Sequence, residues 1–262
     1  MSSHACPWPL APHAPRLDPH EVHLWCTPLD LPRSAIEGLL PALAEDERRR
    51  ADRFRLGELR DRFIAGRGLL RWVLSRYLRI APAELRFDYE PRGKPVLRGQ
   101  GTIAAGEYPR TGDLSFNVSH SHSLAMFAVA AGHPIGVDLE QVRPMRDLEG
   151  LVERFFAPAE RRQWGQLPET DRPLAFFYGW TRKEAWLKAT GSGLSFPLSE
   201  FCVNLDPAEP ARLISIRGDT GEAAAWRLDS CQPCPDYVAS LAVRAAELRI
   251  VRWRLEEEGI RD

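Results

Sequence analysis

The pentapeptide Gly136-Val137-Asp138-Leu139-Glu140, followed later by Trp180-Thr181-Arg182-Lys183-Glu184-Ala185-Trp186-Leu187-Lys188, constrains the fold more than any other feature. The first piece alternates with the period of a strand. Asp138 and Glu140 therefore share one face, about 6–7 Å apart, while Val137 and Leu139 supply the buried face. The second piece has helical spacing: Glu184 and Lys188 stack on one face, and Phe177 and Trp180 anchor the same helix. Alone, either piece is ordinary, since Asp-x-Glu decorates wet strand faces and Glu-x-x-x-Lys is a surface pair worth a few tenths of a kcal/mol. Together they offer three carboxylates and a cation on two regular elements. Such a set can converge on Mg²⁺, which prefers hard oxygen donors and takes one or two carboxylates plus substrate phosphates.

Two further blocks lie upstream. Gly93-Lys94-Pro95 follows a Pro-Arg turn, and Phe116-Asn117-Val118-Ser119-His120-Ser121 reads as a strand running into a polar corner. In this order and at these intervals, the four blocks resemble the phosphopantetheinyl transferases of the type that activates surfactin synthetase. The family pattern is Gly-Lys-Pro, Phe-Asn-[Val/Ile]-Ser-His-Ser, Gly-[Val/Ile]-Asp-[Leu/Ile]-Glu and Trp-x-x-Lys-Glu-[Ala/Ser]-x-x-Lys, and every position is met.

The resemblance implies transfer of the 4′-phosphopantetheine arm of coenzyme A to a serine of an apo acyl or peptidyl carrier protein, releasing 3′,5′-ADP. This is a reaction of the holo-[acyl-carrier-protein] synthase type. It also implies an α+β fold of two similar halves with mostly antiparallel sheets, related by a pseudo-two-fold, acting as a monomer. By the same resemblance Asp138, Glu140 and Glu184 hold Mg²⁺, for which Mn²⁺ can substitute, with Glu140 bound directly or through water. Glu184 and Lys188 are the catalytic pair. Either Glu184 or a metal-bound water takes the serine proton, and Lys188 stabilises the diphosphate. Coenzyme A falls to Arg62, Lys94, Pro95, Ser119, His120, Asp138 and Lys188. Of these, His120 contacts the adenosine 3′-phosphate, Lys94 reaches the nucleotide, and Arg62 serves the 3′-phosphate side. Arg49 and Arg53 stay open.

A chain of 262 residues, 44% hydrophobic, can bury a substantial core in one large domain or two smaller ones. The first twenty residues carry five prolines and no sustained apolar segment, which reads as a flexible tail and not a signal peptide. No apolar run is long enough for a membrane-spanning helix. Five cysteines without a secretory signal suggest a reduced, cytoplasmic life. Cys231 and Cys234 lack a second ligand pair for zinc and read as a loop between strands. The net charge of −1 argues against a nucleic-acid partner. Locally, Arg48 to Arg76 holds ten arginines against three acids, which reads either as solvated helix faces or as a positive wall for phosphates.

The organisation follows as a tail over 1–20, a first half over 21–133, a second half over 134–250 carrying the metal site, and a C-terminal tail over 251–262. In the first half, a strand is expected from Glu21 to Cys26, a helix capped by Ser34, another from about Glu45, and a long one carrying Leu59 to Tyr77. Strands follow at 85–89, 114–118, 124–130 and 135–139. The second half reads as helices over 148–154, 159–166 and 173–189, then strands at 201–205, 211–216, 224–228 and 237–243. Trp164, Trp180 and Trp186 read as core, and Gly191 as a helix stop.

Overall fold

In the computed structural model, residues 6–98, 114–245 and 247–255 are described. They fall into two compact units, one comprising Met1–Ser115, His120–Gly132 and Arg249–Asp262, the other Phe116–Ser119 and His133–Leu248. Helices and small, mostly antiparallel sheets make up both, an α+β fold.

The first unit contains β1 (Glu21–Pro28), α1 (Arg33–Leu39), α2 (Glu45–Ala51), α3 (Gly57–Leu78), the hairpin of β2 (Phe87–Tyr89) and β3 (Pro95–Leu97), and β5 (Leu124–Ala131). It also holds β11 (Arg249–Arg254) and the ends of β4 (Leu114–Ser121). The sheet order is β11-β1-β5-β4, with β1 antiparallel to β5 and parallel to β11. Both central strands are buried almost throughout, the mark of a sheet covered on two faces. From α3, Tyr77 reaches the sheet, where its hydroxyl accepts from Trp25 Nε1 at 2.8 Å and meets His23 Nδ1 at 2.8 Å.

Three features of this unit differ from the sequence reading. Ser34 lies inside α1 and caps nothing, because the chain enters that helix from Pro32. Residues 251–254, expected as tail, belong to β11: Trp253 packs edge-on against His23 and Trp25, with centroids 4.4 and 5.1 Å apart, which offsets the loss of backbone freedom. Part of the N-terminal segment is packed as well, since Cys6 and Trp8 are buried and Arg254 Nη1 donates to the Trp8 carbonyl at 2.8 Å.

Several of the ten arginines have structural partners. Arg71, 2% exposed, donates to Glu47 at 2.7 Å and to the carbonyls of Pro82 and Leu85, while Arg67 takes the other Glu47 oxygen, tying α2 to α3.

The second unit contains β6 (Ile135–Gln141), α4 (Leu148–Phe155), α5 (Pro158–Gln166), α6 (Arg172–Thr190), β7 (Phe201–Val203), β8 (Leu213–Ile216), α7 (Thr220–Ala224), β9 (Arg227–Cys231) and β10 (Tyr237–Val243). Its sheet runs β6-β10-β9, antiparallel throughout, leaving β6 at one edge. Phe156, Phe176, Phe177, Trp186 and Phe201 build the core around α6, joined by Trp164 and by the half-buried Trp180. Gly191, at φ +68°, ends α6 in the left-handed conformation that glycine adopts without strain. The strand expected from residue 224 begins instead at Arg227, because the Asp219 carboxylate accepts from Gly221 N and Glu222 N and winds residues 220–224 into α7. Cys231 ends β9 and Cys234 lies in the connection to β10. None of the described cysteines is in a disulfide.

Candidate active site

The site forms where α6 lies against β6. Gly136 makes this approach sterically feasible: a Cβ there would come closer than 3.0 Å to Ala185 O and Ala189 N, both backbone atoms of α6. Helix backbone cannot yield as a flexible side chain does. Gly136→Ala is therefore expected to cost about 3 kcal/mol and to separate Asp138 from Lys188. Urea denaturation checks the first, and an alanine variant as stable as the parent would show that the contact can relax.

Because Asp138 lies two residues from Gly136 on the same strand face, it too is turned toward α6 and is only 5% exposed. Its place is thus not the wet strand face that alternation alone suggests. Lys188 Nζ lies 2.6 Å from Asp138 Oδ1 and also donates to Ser119 Oγ at 2.9 Å and to the Val137 carbonyl at 3.2 Å. Asp138 Oδ2, in contrast, is buried with no hydrogen-bond partner among the described residues.

One turn before Lys188, Glu184 is half-buried, with no hydrogen-bond partner among the described residues. Burial pushes its pKa up to about 7, the nearby Asp138 and Glu140 charges push the same way, and Lys188 opposes them. Glu140, further along β6, is half-buried with Arg143 3.5 Å away.

Ser119 is held by an arrangement that pairs the Phe116 block with β6. On β4, Asn117 and Ser119 are two residues apart and point the same way. Asn117 Oδ1 accepts from Val137 N at 2.9 Å, and Ser119 Oγ accepts from Leu139 N at 3.1 Å while donating to Asp138 Oδ1 at 3.0 Å. Two side chains thereby satisfy two backbone N–H groups on the edge strand, which would otherwise be orphaned. Asn117 carries no role in the sequence reading, although its spacing from Ser119, matching that of Val137 and Leu139, is the readable signal.

Lys183 is the other residue that sequence reasoning left without a role. Its ammonium, fully buried, meets Glu160 at 2.8 Å and donates to the carbonyls of Leu198 and Phe201 at 2.7 and 2.6 Å. The remaining Glu160 contacts are Ala157 N and Val203 N. Lys183 thus fixes α6 to α5 and to the segment leading into β7, immediately before Glu184.

Arg62, Lys94, Pro95 and His120 belong to the first unit. Arg62 donates to both oxygens of Asp30, at 2.5 and 3.0 Å, and pairs with Glu58 at 2.6 Å. Lys94 follows Gly93, whose φ of +82° makes the turn between β2 and β3, and burial pushes the pKa of its ammonium below the usual lysine value. Pro95 opens β3 opposite Tyr89. His120 is exposed on β4 directly after Ser119.

Two observations bear on whether a divalent cation fits. Among the described residues, no three Asp, Glu, His or Cys side chains stand at ligand spacing, and Asp138 is ion-paired with Lys188. The donor chemistry nevertheless suits a hard cation. Asp138 Oδ2 is an unsatisfied oxygen, and Glu184 is pushed up by burial first and then by two like charges that a cation would offset.

The family profile described as "4′-phosphopantetheinyl transferase superfamily" matches residues 134–242, and "4′-phosphopantetheinyl transferase, N-terminal" matches residues 32–133. The chain is similar to the 4′-phosphopantetheinyl transferase HetI of Nostoc sp., with 45% identity over 85% of this chain and 87% of the relative. A putative 4′-phosphopantetheinyl transferase of Synechocystis sp. is 34% identical over 80% and 79%. The 4′-phosphopantetheinyl transferase Sfp of Bacillus subtilis is 27% identical over 80% and 91%. On these matches, the chain belongs to the 4′-phosphopantetheinyl transferase superfamily.

Proposed function

We propose that the protein transfers the 4′-phosphopantetheine arm of coenzyme A to a serine of an apo acyl or peptidyl carrier protein, with Mg²⁺ and with release of 3′,5′-ADP. The observation that carries this reading is the Asp138–Lys188–Ser119 cluster with partnerless Glu184 one helical turn away. Phosphoryl-type transfer asks a protein chiefly for positioning and for cations where charge develops. Mg²⁺ held by Asp138, Glu140 and Glu184 would supply charge compensation on the diphosphate oxygens. Lys188, ion-paired with the Asp138 carboxylate at 2.6 Å, adds a second cation for charge that grows in the transition state. In the metal-free protein burial raises the Glu184 carboxyl to about 7, and either Glu184 or a water at the metal would take the proton of the attacking serine hydroxyl. By family resemblance, Ser119, His120, Lys94, Pro95 and Arg62 hold coenzyme A, His120 at the 3′-phosphate. The test is mass spectrometry of an apo carrier protein incubated with this protein, coenzyme A and Mg²⁺. A gain equal to the phosphopantetheine arm, with 3′,5′-ADP released, is expected, and an unchanged carrier mass across acyl and peptidyl carriers would refute the proposal.

The nucleotide assignment has its own test. Dephospho-coenzyme A should be the poorer substrate by about tenfold or more, since a charge-assisted contact to phosphate contributes about 1.5–3 kcal/mol. His120→Ala should narrow that preference. Equal use of both substrates by the parent enzyme would remove His120 from the role.

Glu184 also predicts a pH dependence of stability. Its folded-state pKa lies above the ordinary 4.5, so the bound proton stabilises the fold fully below about pH 4.5, and this contribution is lost as pH rises to about 7. Relative to Glu184→Gln, the metal-free protein should lose on the order of 2–3 kcal/mol across that window. Added Mg²⁺ should restore part of the loss at the upper end. Urea denaturation at several pH values checks this, and a flat difference between parent and variant would contradict it.

A further inference from the structure

Three cationic side chains are buried among the described residues: Arg71, Lys183 and Arg182. Two are closed by carboxylates, Arg71 by Glu47 and Lys183 by Glu160. Arg182 differs. It is 1% exposed, its Nε donates to Ser230 Oγ at 3.1 Å, and its Nη1 donates to the Asn204 carbonyl and Oδ1 at 2.6 and 3.1 Å. Among the described residues no carboxylate lies within ion-pair distance of the guanidinium, and Nη2 has no hydrogen-bond partner. Asp206 and Glu209 act on it only at longer range, while burial opposes its charge, so a buried cation in contact with neutral acceptors alone is costly unless something nearer compensates it.

Arg182 lines a cavity of about 570 Å³ within the second unit, a size typical of small-ligand sites. Tyr178, Arg212, Trp226 and Arg227 also face it, as do two carboxylates, Glu209 and Asp229. Arg212 is engaged by Glu209 at 2.9 Å, and Arg227 donates to the Leu248 carbonyl, so both rim guanidiniums are held in place. Cation at the base, further arginines at the rim and aromatic rings in the wall together suit an oxyanion carried on a flat apolar group. Arg182 precedes Glu184 by two residues, which on an α-helix turns it roughly 200° away from the Glu184 and Lys188 face.

We propose that this cavity is a second ligand site, separate from the transfer site, for a small aromatic carboxylate or phosphate monoester whose anionic group meets Arg182 and whose ring lies against Trp226. The proposal does not rest on the transferase reading. Phenyl phosphate and benzoate are suitable probes, followed at millimolar concentration by the Trp226 indole N–H resonance, assigned with Trp226→Phe. Saturable shifts are expected with at least one of the two anions and not with phenol, and coenzyme A should not displace the probe. Arg182→Gln should weaken binding by about tenfold or more. Ala224→Trp, at an exposed residue of the cavity lining, should abolish it and keeps the test decisive should Arg182→Gln fail to fold. No saturable shift with either anion, displacement by coenzyme A, or unchanged affinity in Ala224→Trp would overturn the proposal.

Discussion

Asp138→Ala is expected to lower phosphopantetheine transfer by on the order of 10²–10³-fold while the protein stays folded. The reason is local: one carboxylate holds two partners and leaves one buried oxygen without any among the described residues. Its Oδ1 accepts from Lys188 and Ser119, and its Oδ2 is the buried oxygen without a partner. Removing it frees Lys188 to move and deletes the oxygen best placed to meet a cation. Asp138→Asn sharpens the reading, since it keeps the volume and an acceptor for Ser119 but loses the charge. Both variants should be inactive and near-native by circular dichroism. Full turnover in Asp138→Asn would show that shape rather than charge is what the site requires.

Lys183→Met is expected to destabilise the protein by about 3–5 kcal/mol, the range for breaking a buried ion pair by removing one partner. Burial pushes Glu160 up and Lys183 down, so each is kept charged by the other and by its carbonyl and N–H contacts. Deleting the ammonium leaves Glu160 buried with an uncompensated charge and frees the Leu198 and Phe201 carbonyls. The double variant Lys183→Met/Glu160→Gln should recover part of the loss, because a neutral amide can keep the bond to Val203 N. A single variant within about 1 kcal/mol of the parent would mean that the pair is dispensable.

Periodicity located the elements that carry the site because their patterns are strong: β10 matches its expected bounds, and α6 extends only one residue beyond them at each end. What periodicity could not show was the surroundings of each face. Asp138 reads as solvated from its alternation with Val137 and Leu139, and only the tight approach at Gly136 explains why it is buried under α6. The β11 strand was missed because its partner β1 lies at the other end of the chain, and no local pattern announces such a pairing. In the arginine-rich stretch, composition could not distinguish Arg71, buried on Glu47, from its exposed neighbours, since the difference depends on where Glu47 of α2 falls. The blocks around Ser119, Asp138, Glu184 and Lys188 were legible as a set, and the second unit brings those four residues together.

The central claim is that Asp138 and Glu184 form a divalent-cation site at which Lys188 acts as a separate cation. The most direct measurement is the initial rate of holo-carrier formation against Mg²⁺ concentration for the parent, Glu184→Gln and Lys188→Ala. A lost ligand weakens apparent metal affinity, whereas a lost transition-state contact lowers the rate at saturating metal. Glu184→Gln should therefore lower both the rate and the apparent Mg²⁺ affinity, and Lys188→Ala should lower mainly the rate. A Glu184→Gln enzyme that is slow yet keeps the parent's Mg²⁺ dependence, or a parent whose rate is indifferent to Mg²⁺ and to excess chelator, would contradict the claim.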